Sequence, residues 1–149
     1  MLLVSGDLDL TMHGPSQKLH SKPYSKRRAV YGYIDRQNIS PTLNSFDFAN
    51  PNIHAPQRVE TTVPQQALFA FNHPFVIERS AALAKKAFDP KTANPSSKVE
   101  FLYRQILSRD PKKDESKLAV EFIGTDAKLA NLEDFAQTLL VSNEFFFTD

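Results

Sequence analysis

The chain contains no cysteine and no tryptophan, and only 4 glycines among its 149 residues. Without cysteine there is no disulfide, no thiol nucleophile and no C-x-x-C-H haem attachment within it. Without tryptophan, the 12 phenylalanines must carry much of the packing. Net charge is also lacking: at +1 the whole molecule offers no strong steering field for nucleic acid or an anionic membrane. The longest uncharged stretch, Thr61 to Ile77, holds two prolines, two glutamines and an Asn-His pair, so it is not a membrane span. The opening "MLLVSGDLDL" has no basic leading region and meets Asp7 and Asp9 too early for a signal peptide. A soluble molecule is expected. Its length corresponds to about one domain with a sizeable core, drawn from 41% apolar residues.

What is present divides into two parts. Residues 1–60 hold three of the four glycines and five of the ten prolines. Short apolar runs there are broken by Gly6, Gly14-Pro15, Pro23, Pro41, Pro51 and Pro56. Few regular elements fit, because proline removes a donor and biases its predecessor toward extended backbone. "RRAVYGYIDRQN" reads as a short helix or, alternatively, a strand, with the balance toward helix. In "QNISPTLNSFDFANPNIHAPQRVE" the residues Ile39, Leu43, Phe46, Phe48, Ile53 and Val59 are too apolar to leave in water. An ordered arm is expected, laying Phe46 and Phe48 against helices and holding Asp47 in a polar contact with Arg58 or Arg36.

Residues 61–149 read as a helical bundle. Thr62-x-x-Gln65 has the form of a capping box with Pro64 in the first turn, and Ala67, Leu68 and Phe71 follow at helical spacing. Leu68 is expected to be buried. Asn72 is placed to cap a second helix with Ile77, Ala81, Ala84 and Phe88 on one face and Val76, Leu83 and Ala87 beside it. That arc is wide enough for a central helix, and Asp89-Pro90 stops it. Ser97-x-x-Glu100 starts a third, with Val99, Leu102, Tyr103 and Ile106 inward. Asp110 as cap and Pro111 begin a fourth, whose buried stripe is Leu118, Phe122 and Ile123 and whose end is Gly124. Leu132, Phe135, Ala136, Leu139 and Leu140 define the last. The expected fold is mainly α: about five packed helices in residues 62–149, with a largely irregular, Pro-rich N-terminal arm wrapped around them. The 149 residues form a single domain or the C-terminal fragment of a larger one.

Motifs for chemistry are sparse. Tyr31-Gly32-Tyr33-Ile34 echoes the base-stacking strand of RNA-recognition modules. The places for the preceding Gly and the following aromatic hold other residues, and the module's four-stranded sheet does not suit a helical chain. No nucleic-acid partner is expected. Lys18 to Arg36 carries six basic residues and one acid, a patch that suits an acidic neighbour or a solvated surface. No two histidines stand at i, i+4, and Asp7 and Asp9 form only half of a calcium loop. No catalytic, cofactor-binding or metal residues are assigned and no cofactor is implied. The candidate polar surface consists of Arg28, Arg36, Asp47, His54 and Arg58.

The order of the blocks "SGDLDLTMHGPS", "KRRAVYGYIDRQN", "FDFANPN", "QRVETTVPQQALFAFNHPFVIERSAALAKKA", "LYRQILSRDPKKDE" and "FAQTLLVSNEFFFTD" carries a resemblance over nearly the whole chain. Together they resemble the C-terminal domain of unknown function of large planctomycete proteins that also carry cytochrome-c-like domains. Arg58 to Pro74 is its most specific segment. The family's first block usually has Gly-Gly before the proline, and here His13 replaces the first glycine. The resemblance implies a bacterial, exported parent protein with further domains upstream, and it brings no catalytic residue. "LYRQILSRDPKKDE" followed by "LLVSNEF" is similar to a helical module of bacterial surface and secreted proteins. In that module Leu102, Ile106, Phe122, Leu139 and Phe145 would share one core, and Arg104 and Arg109 would hold helix ends or pair with Glu144.

Two functional classes are consistent with this reading. One is a non-catalytic structural or interaction domain, partnered by upstream domains of the parent or by another protein. The other is part of an enzyme, polysaccharide-degrading or redox, whose catalytic groups lie mainly on absent upstream domains. The lack of any catalytic motif favours the first for this chain alone.

Overall fold

Eight α-helices and one 3-10 turn organise the described residues of the computed structural model, which are 1–19, 21–57, 61, 63–88 and 94–147. They are α1 (Leu2–Ser5), the turn Ala29–Tyr31, α2 (Pro41–Ser45), α3 (Pro64–Asn72), α4 (Pro74–Ala87), α5 (Pro95–Leu107), α6 (Lys113–Ile123), α7 (Leu129–Val141) and α8 (Asn143–Phe146). No strand occurs among the described residues beyond the isolated bridges Asp9–Arg27 and Gln17–Gly32. The fold is mainly α, with an irregular, proline-marked stretch preceding the packed helices. No described helix is long and apolar enough to cross a membrane. The chain divides into two compact units, Met1–Gly6 with Ala70–Asp149, and Asp7–Phe69.

The helical unit is built on α4, which packs on α1, α5 and most extensively on α7. Its start is fixed by His73, whose Nδ1 accepts the Phe75 N–H at 3.2 Å, with Pro74 at the first position. The cap is therefore His73 and not Asn72, because α3 runs through Asn72. Lys85 and Lys86 in the last turn suit the negative end of the helix dipole. Lys86 Nζ also donates to the Ser5 carbonyl at 2.7 Å, which ties α1 to α4. Gly6 ends α1 at φ 71°, where a Cβ would run into that Lys86 amine. Val76, Leu83, Ala84 and Ala87 are buried as read, whereas Ile77 and Phe88 lie at the surface. The core-facing arc is centred one step round from the expected face and takes in Arg79 and Ser80 instead.

In α5 the stripe Val99, Leu102, Tyr103 and Ile106 is buried as expected. The helix starts two to three residues early, because the Asn94 side chain accepts the Ser96 N–H and Pro95 follows it. Helix α6 begins at Lys113 rather than after Asp110: the Glu115 carboxylate reaches back to the Lys112 N–H at 2.7 Å. Gly124 ends α6 at φ 75°. Inside α6 only part of the expected stripe holds. Ile123 and Ala119 are buried, but Leu118 is 66% and Phe122 56% exposed. All five apolar residues expected from α7 are buried, and Phe145 packs partly against the same core. Each fully buried leucine there is worth roughly 1.5–3 kcal/mol.

The second unit, Asp7–Phe69, is held by side-chain bonds to backbone more than by helices. Arg27 is the main fastener. Its guanidinium donates to the carbonyls of Thr11 (3.0 Å), Pro15 (3.3 Å) and His13, and lies 3.9 Å over the Tyr31 ring. Tyr31 in turn accepts the His13 N–H on its hydroxyl at 3.0 Å. Asp7 pairs with Lys26 at 2.9 Å, and Asp9 accepts the Thr11 N–H at 2.9 Å. Leu68, expected in a core, is 60% exposed and Phe71 in the same helix 57%, because α3 turns Ala70 inward instead. The capping residue Thr62, the stop Asp89-Pro90 and Val59 lie outside the described residues.

Candidate functional site

Three polar or mixed constellations merit chemical description. The first is the sequence-predicted surface. Asp47 sits just after α2 with φ 54°, a left-handed backbone that aspartate tolerates better than most residues. Its carboxylate accepts the Thr61 N–H at 2.6 Å and the Thr61 hydroxyl at 2.8 and 2.9 Å. This clamp closes the loop between α2 and α3. Gln66 reinforces it by donating to the carbonyls of Ser45 and Thr61, both at 2.9 Å. Phe46 packs edge-on against Phe69 with ring centroids 5.2 Å apart, while Phe48 stays at the surface.

The structure brings Asp47 and His54 onto one open groove of about 760 Å³, which Phe46, Phe48 and Ile53 also line. Arg36 reaches this region through its backbone, its carbonyl accepting Asn52 Nδ2 at 3.2 Å. Arg28 precedes the 3-10 turn and is exposed; its carbonyl accepts the Tyr31 N–H. Arg58 lies outside the described residues. Asp47 finds its donors on Thr61, a neutral residue, and both its oxygens are committed there. Chemically this is a loop clasp beside a half-apolar groove.

The second constellation joins the ends of three helices in the helical unit. Arg109 follows the α5 cap Ser108, which has φ 56°. Its guanidinium makes two forked carboxylate pairs: to Glu115 at 2.7 and 2.9 Å, and to Glu144 at 2.5 and 2.8 Å. It also donates to the Asp110 carbonyl at 3.1 Å and lies 5.2 Å from the Tyr103 ring centre. Arg104 pairs with Asp110 beside it. The Arg109 hydrogen bonds, then the Lys112 N–H, hold the Glu115 carboxyl down at about 2. The same arginine lowers Glu144, and the bonded Arg104 lowers Asp110. Burial, with the Glu115 charge behind it, raises the Tyr103 phenol. All these carboxylates stay ionised, and Arg109 spans them, so the cluster fastens α5, α6 and α8 rather than trading protons. The pairing of Arg109 with Glu144 is one of the alternatives the sequence left open for Arg104 and Arg109, and Arg104 takes Asp110 instead.

The third constellation is the one sequence periodicity misplaced. Leu118 and Phe122 rise from α6 over a groove of about 400 Å³, together with Tyr103, Ala119, Phe135 and Thr138. Phe122 leans on Phe135 with centroids 6.3 Å apart, and Phe135 touches Tyr103 at 6.2 Å. The signal was present in the sequence. Leu118/Phe122 and Ala119/Ile123 are two adjacent i, i+4 stripes, and a helix with neighbours on one side buries only one.

In the second unit the 3-10 turn Ala29–Tyr31 ends at Tyr31, which is pinned under Arg27, and Gly32 follows in an isolated bridge to Gln17 rather than in a strand. The sheet that would offer its rings to bases is not formed among the described residues.

Set against known proteins, the chain matches the profile of a family described as PSD1, protein of unknown function (DUF1553), over residues 1–123. No curated protein and no solved structure matches it.

Proposed function

We infer the role of this chain from the premise that it belongs to the PSD1 family of proteins of unknown function (DUF1553): it is a non-catalytic structural or interaction domain of an exported bacterial multidomain protein. The resemblance of its ordered blocks to the terminal domain of planctomycete cytochrome-c-like proteins supports the exported, multidomain parent. The observation that carries the interaction role is the groove under Leu118 and Phe122. Two large apolar side chains stand 66% and 56% exposed beside a floor of buried aromatics. Covering the part still exposed would be worth roughly 1–2 kcal/mol each. The polar clusters support the same reading, because Arg109, Glu115 and Glu144 spend their donors and acceptors on one another or on the backbone, and Asp47 spends its own on Thr61.

The test is to express the chain together with the polypeptides encoded beside it and to measure association by sedimentation velocity. We expect a complex that Leu118→Glu abolishes while the variant melts like the parent chain. A chain that stays alone in every mixture, or a complex indifferent to Leu118→Glu, overturns the reading.

A further inference from the structure

The chemistry of the groove's edges says what kind of partner fits it. By helical spacing, Asp114 and Glu121 flank Leu118 at i−4 and i+3, and both are exposed. Across the groove, Thr138 on α7 follows the exposed Asp134 by one turn, its hydroxyl bonded to the Asp134 carbonyl at 2.9 Å. Glu115, also on the groove, is already neutralised by Arg109. Lys113 and Lys117 lie further round α6 on the side away from Phe122. Lys128 stands at the head of α7, two turns before Phe135. The central rims are thus acidic, and the floor, made of Tyr103, Ala119 and Phe135, is apolar and buried.

We propose that this groove is a docking site for a basic amphipathic helix: a partner segment with an apolar stripe at i, i+4, i+7 flanked by lysine or arginine. The inference rests on the interaction reading above and adds the partner's chemistry. Length agrees. The 11 residues of α6 span about 16 Å, which suits two to three turns of a partner helix lying alongside. Charge decides against a second copy of this chain. An antiparallel pairing that sets Leu118 of one copy on Phe122 of the other would bring Glu121 of one copy within two residues of Glu121 of the other, like charge against like. A basic helix meets the opposite situation on both rims, and rim charge chiefly sets encounter rate and choice of partner.

The experiment uses the full chain and three fluorescein-labelled synthetic helices of about 14 residues. One carries a leucine stripe with lysine flanks, one the same stripe with glutamate flanks, and one the lysine composition scrambled to destroy the stripe. Fluorescence anisotropy should give a Kd of about 1–50 μM for the first and at least about tenfold weaker binding for the other two. Raising salt from about 50 to 300 mM should weaken the first severalfold. Phe122→Gln should abolish binding with an unchanged melt, and Asp114→Lys with Glu121→Lys should reverse the preference toward the glutamate-flanked helix. Equal binding of lysine- and glutamate-flanked helices overturns the basic partner and leaves the interaction reading standing. So does a failure of both where the complex with neighbouring gene products still depends on Leu118. Binding that ignores Phe122→Gln overturns the site. A concentration-dependent dimer lost on Phe122→Gln would assign the groove to a second copy and likewise overturn the proposal.

Discussion

Acid should release the joint at Arg109 before it dissolves the core, and the sign and size follow from the structure. The Glu115 carboxyl sits at about 2 in the folded chain against an ordinary 4.5, chiefly because Arg109 bonds it. A depressed folded value means stabilisation that is fully present above the unfolded value and is lost as pH falls toward the folded one. The window is therefore about pH 5 down to about pH 2. Taken at face value the gap is worth at most about 3.5 kcal/mol, at about 1.4 kcal/mol per pH unit. With Glu115 about 31% open to solvent, water and salt screen most of that, and about 1 kcal/mol is the realistic share. For a chain of this size that moves the melting point by roughly 3–5 °C. The assay is thermal melting by circular dichroism from pH 7 to pH 3, comparing the native chain with Arg109→Met. Methionine keeps the apolar stem near Tyr103 while removing the charge. At pH 7 Arg109→Met should cost about 1–2 kcal/mol, since it leaves Glu115 and Glu144 facing each other unneutralised. Between pH 5 and pH 3 the native chain should lose more stability than the variant, because protonation relieves the variant's carboxylate repulsion. Asp110, held down by Arg104, titrates alike in both proteins and cancels in the comparison. Parallel pH curves for the two proteins would show that the cluster carries no net stabilisation, and the argument would fail.

Three further outcomes are expected. Leu83→Ala, at a fully buried position in α4, should cost about 2–5 kcal/mol, whereas Leu68→Ala at 60% exposure should stay within about 0.5 kcal/mol; denaturant titration of both variants checks the contrast. His13 holds φ 65° beside Gly14 at φ 93°, so His13→Val should be less stable than His13→Gly by about 1–2 kcal/mol, read from paired thermal melts. Single-stranded RNA titrated at moderate salt should show no submicromolar binding; tight binding lost on Tyr31→Ala with Tyr33→Ala would contradict the reading of that segment as a pinned turn.

Local rules reached the existence of the five longer helices, though not of α1, α2 or α8, and most of their inward faces. Five apolar residues of α7 and four of α5 fall on a period that leaves no alternative face, and all of them are buried. Helix starts were legible to within a few residues. Asn94, His73 and the Glu115 bond to Lys112 compete with equally plausible neighbours such as Ser97, Asn72 and Asp110, and the winner depends on where proline falls. The left-handed backbone of His13, at φ 65°, was not announced by any local residue preference. Contacts far apart in sequence were not legible. Nothing local in "KRRAVYGYI" says that Arg27, rather than Arg28, turns inward to gather the carbonyls of residues 11, 13 and 15. Nothing near Asp47 says that Thr61, fourteen residues on, will claim its carboxylate.

The case of α6 is different in kind. Leu118 and Phe122 obey the same periodicity as Ala119 and Ile123, so the sequence offers two stripes and no means to choose between them. Tertiary packing chooses the smaller one: Ala119 and Ile123 lie 4% and 1% exposed, and α5 and α7 both pack on α6. A small residue lets helices approach closely, and close approach leaves the larger stripe at the edge of the contact. A core that needed more apolar volume would have turned Leu118 and Phe122 inward, a rotation of only about 100° for one residue step. That they remain outside, over a floor of buried aromatics and between acidic rims, means their apolar character is not used by this fold. Local pattern and native packing disagree there as they do at Leu68, Phe71 and Ile77, but here the exposed pair stands over a groove with a buried aromatic floor, and that combination points to function. The misplaced stripe is thus the strongest reason to look for the partner on α6, and not at the polar surface of Arg28, Arg36, Asp47, His54 and Arg58 that the sequence suggested first.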